Sequence, residues 1–102
     1  MTMPSNDEMR EALKGVIDPE LGYNIVDLGM IYDVEIIDGN VVVTMTLTTP
    51  GCPASEMIQG GVSECLAMME GIRSVTVNLV WEPAWGPEMM SPDAKEHFGV
   101  NA

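Results

Sequence analysis

The sequence predicts an α+β domain in the order α-β-β-α-β, with a three-stranded sheet and a short C-terminal helix. Three observations carry this prediction. Met9, Ala12, Leu13 and Val16 recur at helical spacing behind a capping box. Two runs of alternating apolar and polar residues flank the turn Asp38-Gly39-Asn40. Apolar positions from Ala54 to Met69 then keep to the i, i+3, i+4, i+7 template before a third alternating run begins.

The first helix starts at Ser5, whose hydroxyl can cap the amide of Glu8, and ends near Gly15. From Val16 to Gly29 the period breaks at Asp18-Pro19, Gly22, Asn24 and Gly29, which reads as a loop long enough to carry function. Tyr32, Val34 and Ile36 alternate with Asp33 and Glu35, and Val43, Met45 and Leu47 with Thr44, Thr46 and Thr48, as a hairpin with one buried face. Thr49-Pro50-Gly51-Cys52-Pro53 ends the second strand. The next helix aligns Ala54, Met57, Ile58, Gly61, Val62, Cys65, Leu66 and Met69 on one apolar stripe. Gly60-Gly61 within it costs ~1 kcal/mol per glycine relative to Ala, which points to close backbone approach to the sheet. After Gly71, Val75, Val77, Leu79 and Trp81 form a third strand, with Trp81 read as core; the crossover helix can set this strand beside either hairpin strand. Pro83, Gly86 and Pro87 make 82–91 a loop or ordered tail, and Ser91-Pro92 opens a last helix that stops at Gly99. The chain reads as a single domain over 1–102, its core at about 5–81 and a loop with the C-terminal helix at 82–99.

With 102 residues, 46% of them hydrophobic, such a chain buries roughly two-thirds of its unfolded surface. Sixteen Asp and Glu against four Lys and Arg give a net charge of -12, a field that repels phosphate backbones and anionic membranes. Nucleic acid and membrane are therefore excluded as partners. No apolar run approaches the ~20 residues of a membrane span, and Met1 to Glu8 lacks the character of a signal peptide, so a cytoplasmic location is expected. Two cysteines are too few for a disulfide framework, and with His97 alone beside them one chain cannot build a four-ligand Cys/His metal site. The ten Met residues read chiefly as core packing.

Cys52 lies where the chain turns from strand to helix, with Pro53 suited to the first helical position. Unpaired amides and the positive end of the helix dipole favour a thiolate there, the form that attacks electrophiles and binds soft metals; the alternative is a small buried turn residue. Cys65 sits on the apolar stripe and reads as a packing residue. Thirteen helical residues separate the two thiols by ~20 Å, beyond disulfide or shared-metal reach. A Cys-His pair would need His97 to fold back onto Cys52, which no motif demands. Asp18, Glu20 and Asp27 can assist a metal or polarise a bound group, or else serve their own turns, Asp27 by bonding backbone amides. Because the hairpin returns antiparallel, the loop holding Asp18 and Glu20 and the segment holding Cys52 are expected at the same end of the sheet.

Several blocks resemble a known family: Asp18-Pro19-Glu20-Leu21-Gly22, Ile25-Val26-Asp27-Leu28-Gly29-Met30-Ile31-Tyr32, Thr48-Thr49-Pro50-Gly51-Cys52-Pro53 and Trp81-x-Pro83-x-Trp85. Together, over roughly Asp7 to Phe98, they are similar to SufT/PaaD-type proteins of iron–sulfur cluster assembly. The resemblance implies a fold related to iron–sulfur scaffold domains and a maturation role. It implies that Cys52 is the reactive residue and transient ligand, with Asp18, Glu20, Leu21, Thr48 and Thr49 forming its pocket. One branch serves a phenylacetyl-CoA oxygenase complex and carries further C-terminal cysteines; this sequence ends at Asn101-Ala102 without them, so the general assembly branch is expected. A cluster normally takes four thiolates, so one chain with Cys52 as its plausible ligand cannot hold one stably. Either two chains each contribute Cys52 in a homodimer, or the protein offers Cys52 to a client or another assembly factor during transfer. The competing readings are a thiol enzyme using Cys52 as nucleophile and a cofactor-free adaptor that docks partners through the Trp85 to Met90 tail. Catalysis is left open by these residues, and the resemblance favours an assembly or accessory factor.

Overall fold

The computed structural model describes residues 4–47 and 54–99. Helix α1 spans Asn6–Leu13, and the expected capping box closes it: Ser5 Oγ accepts from the Glu8 amide at 3.1 Å while the Ser5 amide donates to Glu8 Oε1 at 3.0 Å. Strands β3 (Ile31–Ile37) and β4 (Asn40–Met45) form the antiparallel hairpin. Their link is the two-residue turn Asp38-Gly39, both with positive φ, the backbone sign that a type I′ turn demands. Helix α2 (Ser55–Ala67) crosses over to β5 (Ser74–Leu79), which pairs parallel to β4, so the sheet order is β3-β4-β5. The parallel pairing settles the position of the third strand, and the length of α2 is what permits it. Helix α3 covers Pro92–Phe98; Ser91 Oγ caps it from the Ala94 amide at 3.2 Å and Gly99 closes it in the left-handed conformation.

The buried residues form one contiguous cluster. Met9 and Leu13 of α1, Ile58, Val62 and Leu66 of α2, and Val41, Val43 and Met45 of β4 are all fully enclosed. Met90 and Ala94 belong to it too, so the core extends past residue 81 into the tail.

Several expectations need correction. The segment 16–29 is not wholly loop: β1 (Ile17–Asp18) and β2 (Tyr23–Asn24) form a short antiparallel ladder, too brief to leave an alternating pattern. In β3 the register shifts between Ile31 and Asp33, a bulge at Tyr32 that buries Ile31 with Val34 and aims Tyr32 elsewhere. Met57 is 69% exposed, because the buried stripe of α2 runs strictly i, i+4 through Ala54, Ile58, Val62 and Leu66. Cys65 lies half-buried at the edge of that stripe. Trp81 is 40% exposed because β5 ends at Leu79, before the alternation reaches it. The close approach in α2 involves Gly61 alone: a Cβ there would stand 3.2 Å from Val16 Cγ1, in the segment after α1 and not in the sheet, whereas Gly60 faces open space.

Candidate functional site

The acidic turn is built around Asp18. Its side chain is 1% exposed, and its Oδ1 accepts from the Glu20 amide at 2.8 Å and the Leu21 amide at 3.4 Å. The Gly22 amide closes the same turn on Asp18 O at 2.7 Å, where Gly22 takes φ +70. The carboxylate therefore makes the Asx-type bonds expected of a turn former before proline. Glu20 is exposed at the tip, and Leu21 packs half-buried against the core.

A second loop, 24–30, is held by side chains of its own. Asn24 Oδ1 accepts from the Asp27 amide at 2.8 Å, and Asn24 Nδ2 donates to Asp27 Oδ2 at 2.7 Å. The Asp27 carboxylate thus takes a side-chain amide, not the backbone amides expected of it. The carbonyls of this loop are met by the C-terminal segment, which runs across it as a strap. Trp85 Nε1 donates to Leu28 O at 2.7 Å and the Ser91 amide donates to Asp27 O at 2.7 Å; in the opposite direction, Tyr32 Oη of β3 donates to Pro83 O of the strap at 2.6 Å. Gly29, at φ +83, permits the contact: a Cβ there would lie 2.7 Å from the Met89 carbonyl carbon. A 3₁₀ turn at Pro87–Met89 brings Met90 into the core. Sequence reading missed this structural role of Trp85; its only signal was the tryptophan's company of prolines.

From the strapped loop a relay of main-chain bonds leads to the end of β4. The Ile25 amide donates to Val16 O at 3.0 Å, the Met30 amide to Ile25 O at 3.1 Å, and the Thr46 amide to Met30 O at 2.9 Å. Thr46 and Leu47 are buried. The next six residues, which include Thr48, Thr49 and Cys52, lie outside the described residues. The chain resumes at Ala54, the N-cap of α2, whose methyl side chain provides no capping acceptor.

The other thiol is engaged. Cys65 Sγ donates to Ala12 O at 3.1 Å, tying α2 to α1, and burial pushes its pKa upward. His97 packs on Tyr23 and Phe98, with ring centroids 4.9 and 4.8 Å away, so α3 is fastened to β2. Among the described residues no group of three or more His, Cys, Asp or Glu is placed to hold a metal ion. None of the described helices is long and apolar enough to cross a membrane.

Comparison with known proteins places these features in context. A family model described as iron-sulfur cluster assembly protein matches residues 6–79. The chain is 47% identical over 87 residues to the Fe-S protein maturation auxiliary factor SufT of Staphylococcus aureus, covering 84% of this chain and 99% of that protein. It is 39% identical over 98 residues to an Fe-S protein maturation auxiliary factor of Porphyromonas gingivalis, covering 95% and 93%. The crystal structure of a domain of unknown function from Bacillus anthracis matches with a TM-score of 0.89 at 40% identity, covering 94% of this chain and 92% of that one.

Proposed function

The chain belongs to the iron–sulfur cluster assembly protein family, and from that premise we propose that it is a maturation factor that passes iron–sulfur clusters, as cargo, to client proteins. Cys52 is the transient ligand in this proposal, and Asp18, Glu20, Leu21, Thr48 and Thr49 form its surroundings. The observation that carries the assignment is the state of the other thiol. The sequence has two cysteines, and Cys65 is bonded to Ala12 O and pushed toward its protonated form, which leaves Cys52 as the thiol for ligation. The start of α2 shortly after Cys52 supports the reading further, since the positive end of a helix favours a thiolate nearby.

Two thiols fall short of the four that a resident cluster normally takes, so the cargo's remaining ligands come from the giver, the recipient or a second copy. Transfer then follows from ligand exchange: a single thiolate binds an exposed iron site as one donor ligand leaves, and is itself displaced by the client's thiolate. Ligation requires the deprotonated form, so any proton still on Cys52 leaves as it binds and is available to the departing donor thiolate. A cytoplasmic setting, where free thiols stay reduced, belongs to this proposal. The adaptor reading loses support because the Trp85 indole N–H is bonded within the chain and Met90 is buried.

Anaerobic reconstitution with ferrous iron, sulfide and a small thiol such as glutathione to supply the remaining ligands, followed by absorption spectra of the desalted protein, tests the assignment. Wild type and Cys65→Ala should develop the visible bands of a bound cluster, and Cys52→Ser should not. Equal bands in Cys52→Ser would refute the role of Cys52.

A further inference from the structure

The core uses one face of α2, and a second line of residues runs from Met57 through Gly61 and Cys65 to the C-cap residue Met68. Along that line, Met57 is 69% exposed and Met68 is 87% exposed, and across from them Ile17 is 49% exposed. Between α2 and the segment 15–17 lies a groove of about 390 Å³, with Val16, Gly61 and Cys65 in its lining. Gly61 keeps its floor open, as the small residue facing Val16. Unbranched thioether side chains flanking an apolar groove suit an inserted side chain of variable shape, and they gain nothing in the isolated chain.

Charge selects the occupant. Glu64 stands in the groove wall and, among the described residues, no cation lines it; Lys14, next to Gly15, is already paired with Glu11 at 3.3 Å. A second copy of this chain would bring another net charge of -12 and meet repulsion. We infer that this groove docks a basic amphipathic segment of another protein, an aliphatic or aromatic side chain seated between Met57 and Met68 with Lys or Arg facing Glu64 and the acidic surface. This inference does not depend on what Cys52 does.

The probe is a synthetic Leu/Lys peptide with one apolar helical face, titrated into the full chain labelled with nitrogen-15 and with carbon-13 on its Met methyls. Saturable shifts should centre on the Gly15, Ile17 and Gly61 amides and on the Met57 and Met68 methyls. The double variant Met57→Ser/Met68→Ser, altered only at exposed positions, should bind about tenfold more weakly. Leu/Glu and Ser/Lys peptides should fail to bind there, the first for lack of charge complementarity and the second for lack of an apolar anchor. Absence of binding, shifts centred elsewhere, equal binding of the Ser/Lys peptide, or unchanged affinity in the double variant would each overturn the inference. So would a wild-type dimer in sedimentation equilibrium that the double variant dissolves, since the occupant would then be a second copy.

Discussion

Gly22 and Gly29 offer a controlled comparison of the strap's strength. Both have left-handed φ, +70 and +83, so an alanine at either costs ~1–2 kcal/mol of backbone strain. Their surroundings differ. A Cβ on Gly22 meets nothing within 4 Å, whereas one on Gly29 would collide with Met89 O and stand 2.8 Å from Met89 Cβ. The obstructing carbonyl is main chain, so no rotamer change relieves the clash and the strap has to withdraw. Withdrawal strains the two bonds beside it, Trp85 Nε1 to Leu28 O and the Ser91 amide to Asp27 O, both at 2.7 Å. Losing one or both adds ~1–3 kcal/mol. Gly22→Ala should therefore cost about 1–2 kcal/mol and Gly29→Ala about 2–5 kcal/mol. At about 4–8 °C per kcal/mol for a domain near this size, thermal melts separate the two clearly. Urea unfolding followed by tryptophan fluorescence gives the same comparison, and in a Trp81→Phe background, which leaves Trp85 as the one indole, it reports on Trp85 directly. Equal costs, or an indole emission in Gly29→Ala that matches wild type, would refute the claim that the strap bears on Gly29.

Tyr32→Phe should lower stability by about 1 kcal/mol, because it deletes the hydroxyl that donates to Pro83 O at 2.6 Å; a urea titration reads it. Cys65→Ala should cost ~1 kcal/mol through a small cavity at the α1–α2 contact while leaving cluster reconstitution intact. The same variant should change the alkaline side of the stability profile. Burial raises the folded thiol pKa, so its contribution is fully present below the ordinary thiol value and is lost as pH rises through the folded value. Denaturation midpoints of wild type and Cys65→Ala should accordingly converge above that range. Brief iodoacetamide labelling of the folded protein should modify Cys52 well before Cys65, with mass spectrometry as the readout; equal rates would remove the distinction between the thiols. Asp18→Asn and Glu20→Gln address the proposed pocket: if those carboxylates face Cys52 they raise its pKa, and at least one substitution should lower it in a thiol titration.

Local signals made most of the fold legible. The capping box at Ser5 and Glu8, the Asp38-Gly39 turn and the Ser91-Pro92 start each satisfy backbone groups within a few residues, so the sequence contains the whole interaction. What sequence could not show depends on distant partners. Whether β5 joined β3 or β4 was undetermined because its apolar alternation fits either neighbour. Met57 and Ile58 are adjacent and equally apolar, and only the packing of α2 decides that Ile58 is enclosed and Met57 exposed. Tyr32 looked like a regular member of its strand because a bulge inserts a residue without altering composition.

The candidate site was legible as motifs, but the motifs do not all carry chemistry. Asp27-Leu28-Gly29 and Trp81-x-Pro83-x-Trp85, far apart in sequence, are two halves of one contact, joined by the indole donor on Leu28 O and by the space that Gly29 leaves for Met89. Sequence reading assigned each half its own functional promise because main-chain carbonyls, the actual acceptors, are invisible in a string of side chains. Once those residues are accounted for by the strap, the part of the resemblance left for the proposed surroundings of Cys52 is Asp18, Glu20, Leu21, Thr48 and Thr49, with Asp18 Oδ1 also holding its own turn. The strap in turn holds the loop whose Met30 carbonyl accepts the Thr46 amide, two residues before Thr48. Loosening it should therefore disturb cluster handling without touching any proposed ligand. That makes Gly29→Ala informative beyond stability: with folded protein confirmed, slower cluster transfer in this variant and unchanged transfer in Gly22→Ala would tie the strap to the Cys52 segment, and equal transfer rates would confine it to a purely structural role.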